Sequence, residues 1–148
     1  PCTAADGSTV AAPIIYLHSR GGRLDDGYAL GRELRRLGIS VAIGAEEQCA
    51  SSCAVAFLGG KKRVVADDGL VVFHAPYFME KNEMGVRDGD CDVGENYLAE
   101  LRAYYQEMTD AETGDRLFER TMWYCSADAG WVVKGGSAAE LYGIATEK

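Results

Sequence analysis

Cys49-Ala50-Ser51-Ser52-Cys53-Ala54 is the stretch of sequence that decides the fold. It opens a run of small residues that ends at Gly59-Gly60, and this composition predicts a compact helix from about Ala50 to Leu58. A serine therefore lies in the first turn, where unpaired N–H groups and the helix dipole stabilise negative charge. The pattern indicates a candidate nucleophile.

A second glycine pair lies upstream, between an apolar segment and a helical pattern. Ala12 to Leu17 is predicted as a buried strand that leads into Gly21-Gly22, and a helix follows over about Leu24–Leu37. Glycines at such a turn free the backbone to direct N–H groups toward a bound oxygen, which an oxyanion hole requires. This turn is the second candidate part of an active site.

Downstream, Val71-Val72-Phe73-His74-Ala75-Pro76 places a histidine at the end of an apolar strand. A serine hydroxyl is inert at its free pKa and needs a base within hydrogen-bond reach. His74 is the candidate base, and the three segments together indicate nucleophilic catalysis.

The remaining elements complete an α/β pattern. Short strands are predicted at Ile39–Ile43, Arg63–Ala66 and Leu70–Phe73, with a core strand at 131–133 in an otherwise helical C-terminal third. In each of two helical segments, apolar residues are spaced so that they lie on one face of the helix. The first set is Leu30, Leu34 and Leu37, and the second is Leu98, Leu101, Tyr104, Tyr105 and Met108. Two segments are predicted as capping boxes: Thr109-x-x-Glu112 and Ser137-x-x-Glu140. The aromatic residues Tyr97, Tyr104, Tyr105, Trp123 and Tyr124 are expected in the core or a subunit interface.

The chain of 148 residues is predicted to form one domain over 1–148. Residues 1–9 are expected to be a loose lead-in, and the Gly/Asn-rich, charged segment 79–94 is expected to be a mobile loop. Since the chain begins at Pro1 and shows no signal peptide, we interpret it as a processed or trimmed form.

Charge and hydropathy exclude two classes of function. The net charge is −8, from 15 basic and 23 acidic residues, and no basic stripe is present, which argues against nucleic-acid binding. The longest apolar runs, such as Val10–Leu17, fall far short of the roughly 20 residues of a membrane-spanning helix.

Five cysteines favour an oxidising compartment with one or two disulfides. Cys49 and Cys53 can bridge each other or separate partners, and Cys91 and Cys125 are natural candidates to pair; the sequence does not fix the connectivity. Without a bridge, a cysteine beside Ser51 is itself an alternative nucleophile. Ligand spacing for a structural metal is absent from the sequence.

Four segments together resemble the proteolytic subunit of the Clp protease, ClpP. They are Gly21-Gly22, the Ala/Ser-rich helix start, Gly59-Gly60-x-x-Arg63 and Phe73-His74-x-Pro76. The likeness is closest to periplasmic ClpP-like relatives, whose serine motif carries the same flanking cysteines, and it covers about residues 13–76. Residues 138–144 are similar to the closing helix and strand of the family, whereas Arg20 replaces the family's usual proline. The resemblance implies an α/β fold of the ClpP/crotonase type, with a small sheet, flanking helices and a helical C-terminal arm.

Carried over by position, the resemblance assigns the site. Ser51 becomes the nucleophile and His74 the general base, with Ser52 left open as an alternative nucleophile. The oxyanion hole is assigned to the backbone N–H groups of Gly21, Gly22 and Ser52. Asp128 is the candidate acid that orients the histidine, ahead of Asp110 and Asp115.

The resemblance also implies an activity: a serine peptidase that cleaves peptide or protein substrates without a metal or an organic cofactor. It further implies a homo-oligomer, in a periplasmic or secreted setting. Three alternatives stay open: a catalytically silent scaffold that binds partners, crotonase-like acyl-thioester chemistry, and a serine–lysine peptidase. In the last, the base is one of four lysines: Lys61, Lys62, Lys81 or Lys134.

Overall fold

A computed structural model of the chain describes residues 2–77, 79–82, 85–88, 91, 93–125 and 129–147. The helices are α1 (Leu24–Leu37), α2 (Ser52–Phe57), α3 (Glu95–Met108), α4 (Ala111–Met122) and α5 (Gly136–Leu141). The strands are β1 (Cys2–Thr3), β2 (Thr9–Val10), β3 (Ile14–Tyr16), β4 (Ser40–Ile43), β5 (Gln48–Ala50), β6 (Arg63–Val65), β7 (Leu70–Phe73), β8 (Met79–Asn82), β9 (Gly85–Asp88) and β10 (Trp131–Lys134).

Two three-stranded sheets form the centre of the fold. In one, β4 lies between β3 and β6 and pairs with both in parallel; in the other, β7 lies between the parallel strand β5 and the antiparallel strand β10. Ser19 joins the two sheets, because it continues from β3 and forms a parallel bridge with Cys49. The carboxyl ends of β5 and β7 therefore lie side by side, close to the turn that follows Ser19.

Helices α1 and α2 pack closely because glycines line their contact. A β-carbon on Gly59 would overlap the backbone of Gly31, and one on Gly27 would lie 2.7 Å from the Ser52 carbonyl oxygen. Side chains at these positions would push the helices apart. This close approach fixes the start of α2 against α1.

The core lies between the sheets and the helices. Its largest fully buried side chains come from α2, α3, α4 and the central strands: Tyr104, Tyr105, Phe57, Phe73, Ile43, Leu58, Leu101 and Leu117. Tyr104 and Tyr105 are thus core residues, as the sequence predicted. Trp123, by contrast, is largely exposed in this chain, and Tyr97 is half exposed.

Two sequence predictions about packing are wrong. The first strand is not buried: Ile14, Ile15 and Tyr16 are all exposed, since β3 pairs only with β4 among the described strands. On α1, the buried residues are Gly27, Tyr28, Gly31 and Leu34, while Leu30 and Leu37 are about half exposed. The apolar spacing missed the two glycines because their burial comes from the close helix contact.

Neither predicted capping box forms. Asp110, not Thr109, is the N-cap of α4, and its carboxylate accepts a hydrogen bond from the Thr113 N–H at 2.8 Å. Helix α5 begins one residue before Ser137, after Gly135, whose positive φ a serine would not favour.

Two disulfides, Cys49–Cys53 and Cys91–Cys125, settle the pairing of four cysteines. They fit an oxidising compartment. They also remove Cys49 and Cys53 as alternative nucleophiles, because a bridged sulfur is no thiolate.

The segment 79–94 contains a short hairpin of β8 and β9, and its mobility stays a prediction. The lead-in 1–9 likewise contains the two short strands β1 and β2. Across the residues that the structure describes, no helix is long and apolar enough to cross a membrane.

Candidate active site

The backbone of Ser51 is the most unusual feature of the region. Ser51 lies between β5 and α2 with φ 58° and ψ −124°, a left-handed conformation that residues other than glycine rarely adopt. Such a conformation costs about 1–3 kcal/mol and is concentrated at functional sites. Two hydrogen bonds hold the turn: the Ser51 N–H donates to the Val72 carbonyl at 2.9 Å, and the Val55 N–H donates to the Ser51 carbonyl at 3.1 Å.

The hydroxyl of Ser51 does not cap the helix. Ser51 occupies the N-cap position of α2, yet its side chain makes no capping hydrogen bond. Within the described part of the chain its Oγ has no hydrogen-bond partner at all. A serine whose role is to cap a helix would make that bond. The Ser51 hydroxyl is therefore available for another interaction.

Gly21 lies directly against Ser51. A β-carbon on Gly21 would be 2.6 Å from the Ser51 Cβ and 3.2 Å from its Oγ, and Gly21 itself has φ +112°. Any side chain here would collide with the serine. The Gly21 N–H donates to the Ser19 Oγ at 3.1 Å, so this donor is already engaged within its own turn.

Gly22 and Ser52 supply the uncommitted donors. Neither backbone N–H has an acceptor among the residues with described placement. The two residues are neighbours, since a β-carbon on Gly22 would lie 3.7 Å from the Ser52 Oγ. Because α2 has only six residues, these two N–H groups, rather than the dipole of a long helix, are the source of positive potential beside Ser51.

The structure distinguishes the two candidate serines. Ser52 is the first residue of α2, is 9% exposed, and packs its backbone and Cβ against Gly27 of α1. Ser51 is more exposed and carries the strained backbone. The geometry therefore supports Ser51 over Ser52 as the nucleophile.

His74 follows β7 directly and is half-buried. Its Nδ1 lies 2.9 Å from the Ala75 carbonyl oxygen. Because a carbonyl only accepts, this contact assigns the proton to Nδ1 and leaves the lone pair on Nε2. That tautomer is the one that a general base for a serine requires.

Ser51 and His74 are neighbours through the pairing of β5 with β7. Ala50 is opposite Val72 in this parallel pair, so Ser51 and His74 are one strand apart and about one residue out of register. Strand spacing and rise put their backbones roughly 6 Å apart. No hydrogen bond joins their side chains among those that the structure gives for the two residues.

Asp128, the predicted acid, lies outside the described residues. The described residues around it contact the His74 region: the Tyr124 carbonyl accepts from the Ala75 N–H at 2.8 Å, and a β-carbon on Gly130 would be 2.9 Å from the Phe73 carbonyl oxygen. In this structure the Ala75 carbonyl itself fixes the histidine tautomer.

The two lower-ranked acids have structural partners elsewhere. The Asp110 carboxylate accepts from the N–H and the Oγ1 of Thr113, and these hydrogen bonds lower the Asp110 pKa. Asp115 accepts from the Gln106 amide at 2.7 Å and lies 3.5 Å from Arg102. The two contacts of Asp115 join α4 to α3, whereas those of Asp110 cap the start of α4.

The lysines that could serve as an alternative base are spread over the fold. Lys61 and Lys62 follow the far end of α2 from Ser51, and Lys62 lies 3.8 Å from Glu147. Lys134 is paired with Leu70, at the opposite end of β7 from His74. The side chain of Lys81 lies outside the described residues.

Sequence reasoning missed a cavity of about 300 Å³ beside the serine turn. Leu17, His18, Asp26, Leu30 and Ser52 are among its lining residues. They come from the end of β3, from α1 and from α2, so no local pattern connects them. The carbonyl groups of Val72 and Ala75, which contact Ser51 and His74, could not be predicted from the sequence either, because every residue type carries a carbonyl.

By sequence, the chain matches no protein-family model and no curated protein. Solved structures do match its fold. A mutant of the 1510-N membrane-bound stomatin-specific protease aligns with TM-score 0.63 and 17% identity, over 90% of this chain and 61% of the other. A ClpP1 mutant from Listeria monocytogenes aligns with TM-score 0.61 and 15% identity, over 90% of this chain and 71% of the other.

These likenesses show the fold: the chain has the α/β fold of ClpP-like proteases, as the sequence predicted. The chain spans 61% of the length of the stomatin-specific protease. Proteins that share a fold can have different activities. A function for this chain therefore has to be argued from the geometry of the candidate site.

Proposed function

We propose that this protein is a serine peptidase in which Ser51 attacks the carbonyl carbon of a peptide bond. One observation carries the proposal: Ser51 is held in a strained strand-to-helix turn with its hydroxyl unbonded. Strain of this kind persists only where the surrounding structure enforces it. The ClpP-like fold of the chain supports the same function.

His74 is the general base and then the general acid. Its Nε2 lone pair takes the proton from the Ser51 Oγ as the Oγ–carbon bond forms. The same proton is delivered to the leaving amine when the peptide C–N bond breaks, which leaves an acyl group on Ser51. Water, deprotonated by His74, then hydrolyses this ester and restores both residues.

The oxyanion hole is built from backbone donors. The N–H groups of Gly22 and Ser52 are uncommitted, Ser52 directly follows Ser51, and a β-carbon on Gly22 would lie 3.7 Å from the Ser52 Oγ. Each such donor is worth about 2.7–4 kcal/mol of transition-state stabilisation in a comparable peptidase. Gly21 leaves space for the Ser51 side chain. Its N–H can donate to the oxyanion only after its hydrogen bond to the Ser19 hydroxyl breaks.

Asp128 is the proposed orienting acid. The Ala75 carbonyl fixes the His74 tautomer but carries no full charge, whereas a carboxylate also stabilises the imidazolium that forms during the reaction. The support is the position of Tyr124 and Gly130, which contact Ala75 and Phe73 from either side of the Asp128 segment.

The proposal extends to the setting of the protein. The substrate is a peptide or protein, and the chemistry uses protein groups without a cofactor. The two disulfides support a periplasmic or secreted location. A homo-oligomer is proposed from the resemblance to ClpP.

A catalytically silent scaffold is the second candidate. One observation favours it: the described structure contains no hydrogen bond between Ser51 and His74. Catalytic hydrogen bonds often tighten only with substrate bound, so activity decides between the two candidates.

A peptide-library cleavage assay tests the proposal. The oxidised protein, its Ser51→Ala variant and its Ser52→Ala variant are incubated with the library, and products are identified by mass spectrometry. Cleavage by the parent and by Ser52→Ala but not by Ser51→Ala is expected. Cleavage that survives Ser51→Ala, or a folded parent that cleaves nothing, contradicts the proposal.

A further inference from the structure

The Cys49–Cys53 disulfide spans the proposed nucleophile. Cys49 is the middle residue of β5 and Cys53 is the second residue of α2, and their Cα atoms are 5.2 Å apart. Ser51 is at the centre of the short loop that the bridge closes. Both cysteines are buried, at 0% and 8% exposure, so the link lies within the packed structure behind the turn.

The backbone of the turn that this bridge closes is strained. The positive φ of Ser51 is unfavourable for any residue other than glycine. The hydrogen bonds to Val72 and Val55 hold the Ser51 N–H and carbonyl groups, but each is a single backbone bond at the start of a six-residue helix. A covalent link between strand and helix removes the relaxed conformations in which the two separate.

The position of the Ser51 hydroxyl depends on the same turn. Its Oγ would lie 3.2 Å from a β-carbon on Gly21, and the residues that follow Gly21 and Ser51, Gly22 and Ser52, carry the uncommitted N–H groups. A displacement of about 1 Å at a reacting atom costs on the order of 100-fold in rate. Small relaxation of the turn would therefore move the hydroxyl away from the carbonyl carbon of a substrate whose oxygen is bound by the Gly22 and Ser52 N–H groups.

We propose that Cys49 and Cys53 are positioning residues for the reaction: their disulfide holds Ser51 in the conformation that attacks the substrate. This inference rests on the proposed function, since it concerns the reactivity of the same serine. The role is local. The bridge closes a loop with a sequence separation of 4, whereas Cys91–Cys125 has a separation of 34, and short loops contribute less to overall stability.

The test compares reactivity with stability in the oxidised full chain. The parent protein and the Cys49→Ala/Cys53→Ala variant are reacted with a fluorophosphonate, and the labelling rate of Ser51 is followed by intact mass and peptide mapping. Peptide hydrolysis gives kcat and KM, and hydrogen exchange is measured over residues 48–57. We expect labelling and kcat to fall at least tenfold, KM to change less than about twofold, and exchange to accelerate at Ser51 and Val55.

Thr121→Val is the matched control for lost stability. Thr121 is fully buried in α4, and its Oγ1 lies 3.1 Å from the Tyr105 hydroxyl on α3, so the valine leaves that hydroxyl without its partner. This variant is expected to unfold at a lower temperature and yet to keep labelling and kcat within about twofold of the parent.

The outcomes separate the two proposals. If the parent labels at Ser51 and the double-alanine variant labels and turns over equally well, or no worse than Thr121→Val, the positioning role is overturned while the peptidase stands. A folded parent that never labels overturns both. If the double-alanine variant does not fold by circular dichroism, Cys49→Val/Cys53→Ala, which preserves more of the buried volume, is judged by the same criteria.

Discussion

At the scale of single residues, Ser51 differs from Ser52 in backbone and in contacts. Ser51 has φ 58° and an uncapped hydroxyl, whereas Ser52 packs on Gly27 of α1. The side chain of Ser52 has no role in the proposed chemistry, which uses only its backbone N–H. Alanine variants of these two adjacent serines are therefore expected to differ strongly in activity.

Ser51→Ala is expected to lower kcat for peptide hydrolysis by at least about 1000-fold, because the nucleophile is lost and only binding and the oxyanion donors remain. Ser52→Ala should stay within about tenfold of the parent, since its backbone N–H is unchanged. Steady-state kinetics on one peptide checks both. Equal losses in the two variants contradict the assignment.

Ser51→Gly is expected to raise stability while abolishing activity. Glycine adopts the positive φ without the penalty of about 1–3 kcal/mol, and it gives back part of that gain through its greater freedom in the unfolded chain. The free energy of unfolding in urea should exceed that of Ser51→Ala by about 1 kcal/mol. A glycine variant less stable than the alanine variant contradicts strain at Ser51.

The sequence predicted a serine and a histidine for the candidate site, but not the backbone groups that contact them. Small residues flanking Ser51 and a histidine at a strand end are visible as patterns. The carbonyl of Ala75 and the carbonyl of Val72 are not, because backbone groups have no sequence signature. The engagement of the Gly21 N–H by Ser19 also depends on a loop conformation that glycine leaves open.

At the scale of secondary structure, the N-cap of α4 links stability to pH. The Asp110 carboxylate accepts two hydrogen bonds from Thr113, which lower its pKa below the usual value near 3.8. A lowered folded-state pKa gives stability that is present above the unfolded pKa and is lost as pH falls through the folded pKa.

Asp110→Asn is therefore expected to lower the melting temperature at neutral pH and to match the parent as the pH falls below the carboxyl range. Asparagine still accepts at an N-cap but cannot ionise. Calorimetry at a series of pH values checks this. Peptidase activity at neutral pH should be unchanged, and a loss of turnover would instead favour Asp110 as the catalytic acid.

Arg63 ties the end of α2 to the C-terminal segment. It is 6% exposed and donates to the carbonyls of Ile144, Leu58, Gly60 and Gly143. Burial lowers the pKa of Arg63 to about 10, which still leaves it charged at neutral pH.

Arg63→Lys is expected to destabilise the fold by about 2–4 kcal/mol, because one ammonium group cannot reach acceptors that a planar guanidinium spans. Urea denaturation checks this value, and labelling of Ser51 in the folded fraction should be unaffected. A change below about 0.5 kcal/mol contradicts the structural role. From the sequence, Arg63 was recognised only as part of a motif, since two of its acceptors, the carbonyls of Gly143 and Ile144, lie about 80 residues further along the chain.

At the scale of the whole molecule, the α/β class and the order of the elements from β3 to β7, apart from the short strand β5, were predictable, because strand and helix patterns alternate clearly along the first half of the chain. Burial was less predictable. The apolar sequence of β3 predicted a buried strand, yet Ile14, Ile15 and Tyr16 are exposed in this chain. An apolar sequence shows that burial of a segment would be favourable. Which part of the same chain or of another chain covers it depends on tertiary or quaternary structure.

The exposed apolar surface leads to a prediction about assembly. Tyr16, Trp123 and Leu141 are exposed by 68%, 70% and 82%, and apolar surface of this kind marks interfaces. Light scattering of the oxidised protein is expected to give a multiple of the 16.0 kDa chain mass. A monodisperse 16.0 kDa species at all concentrations contradicts the proposed homo-oligomer.

Labelling of the oxidised protein with a fluorophosphonate, followed by peptide mapping, tests the central claim most directly. The reagent reacts only with a serine whose hydroxyl is activated by a base. The proposed site predicts one stoichiometric adduct, on Ser51, that is lost in both Ser51→Ala and His74→Ala. A well-folded protein that takes up no label, or an adduct that persists without His74, contradicts an activated nucleophile at this turn.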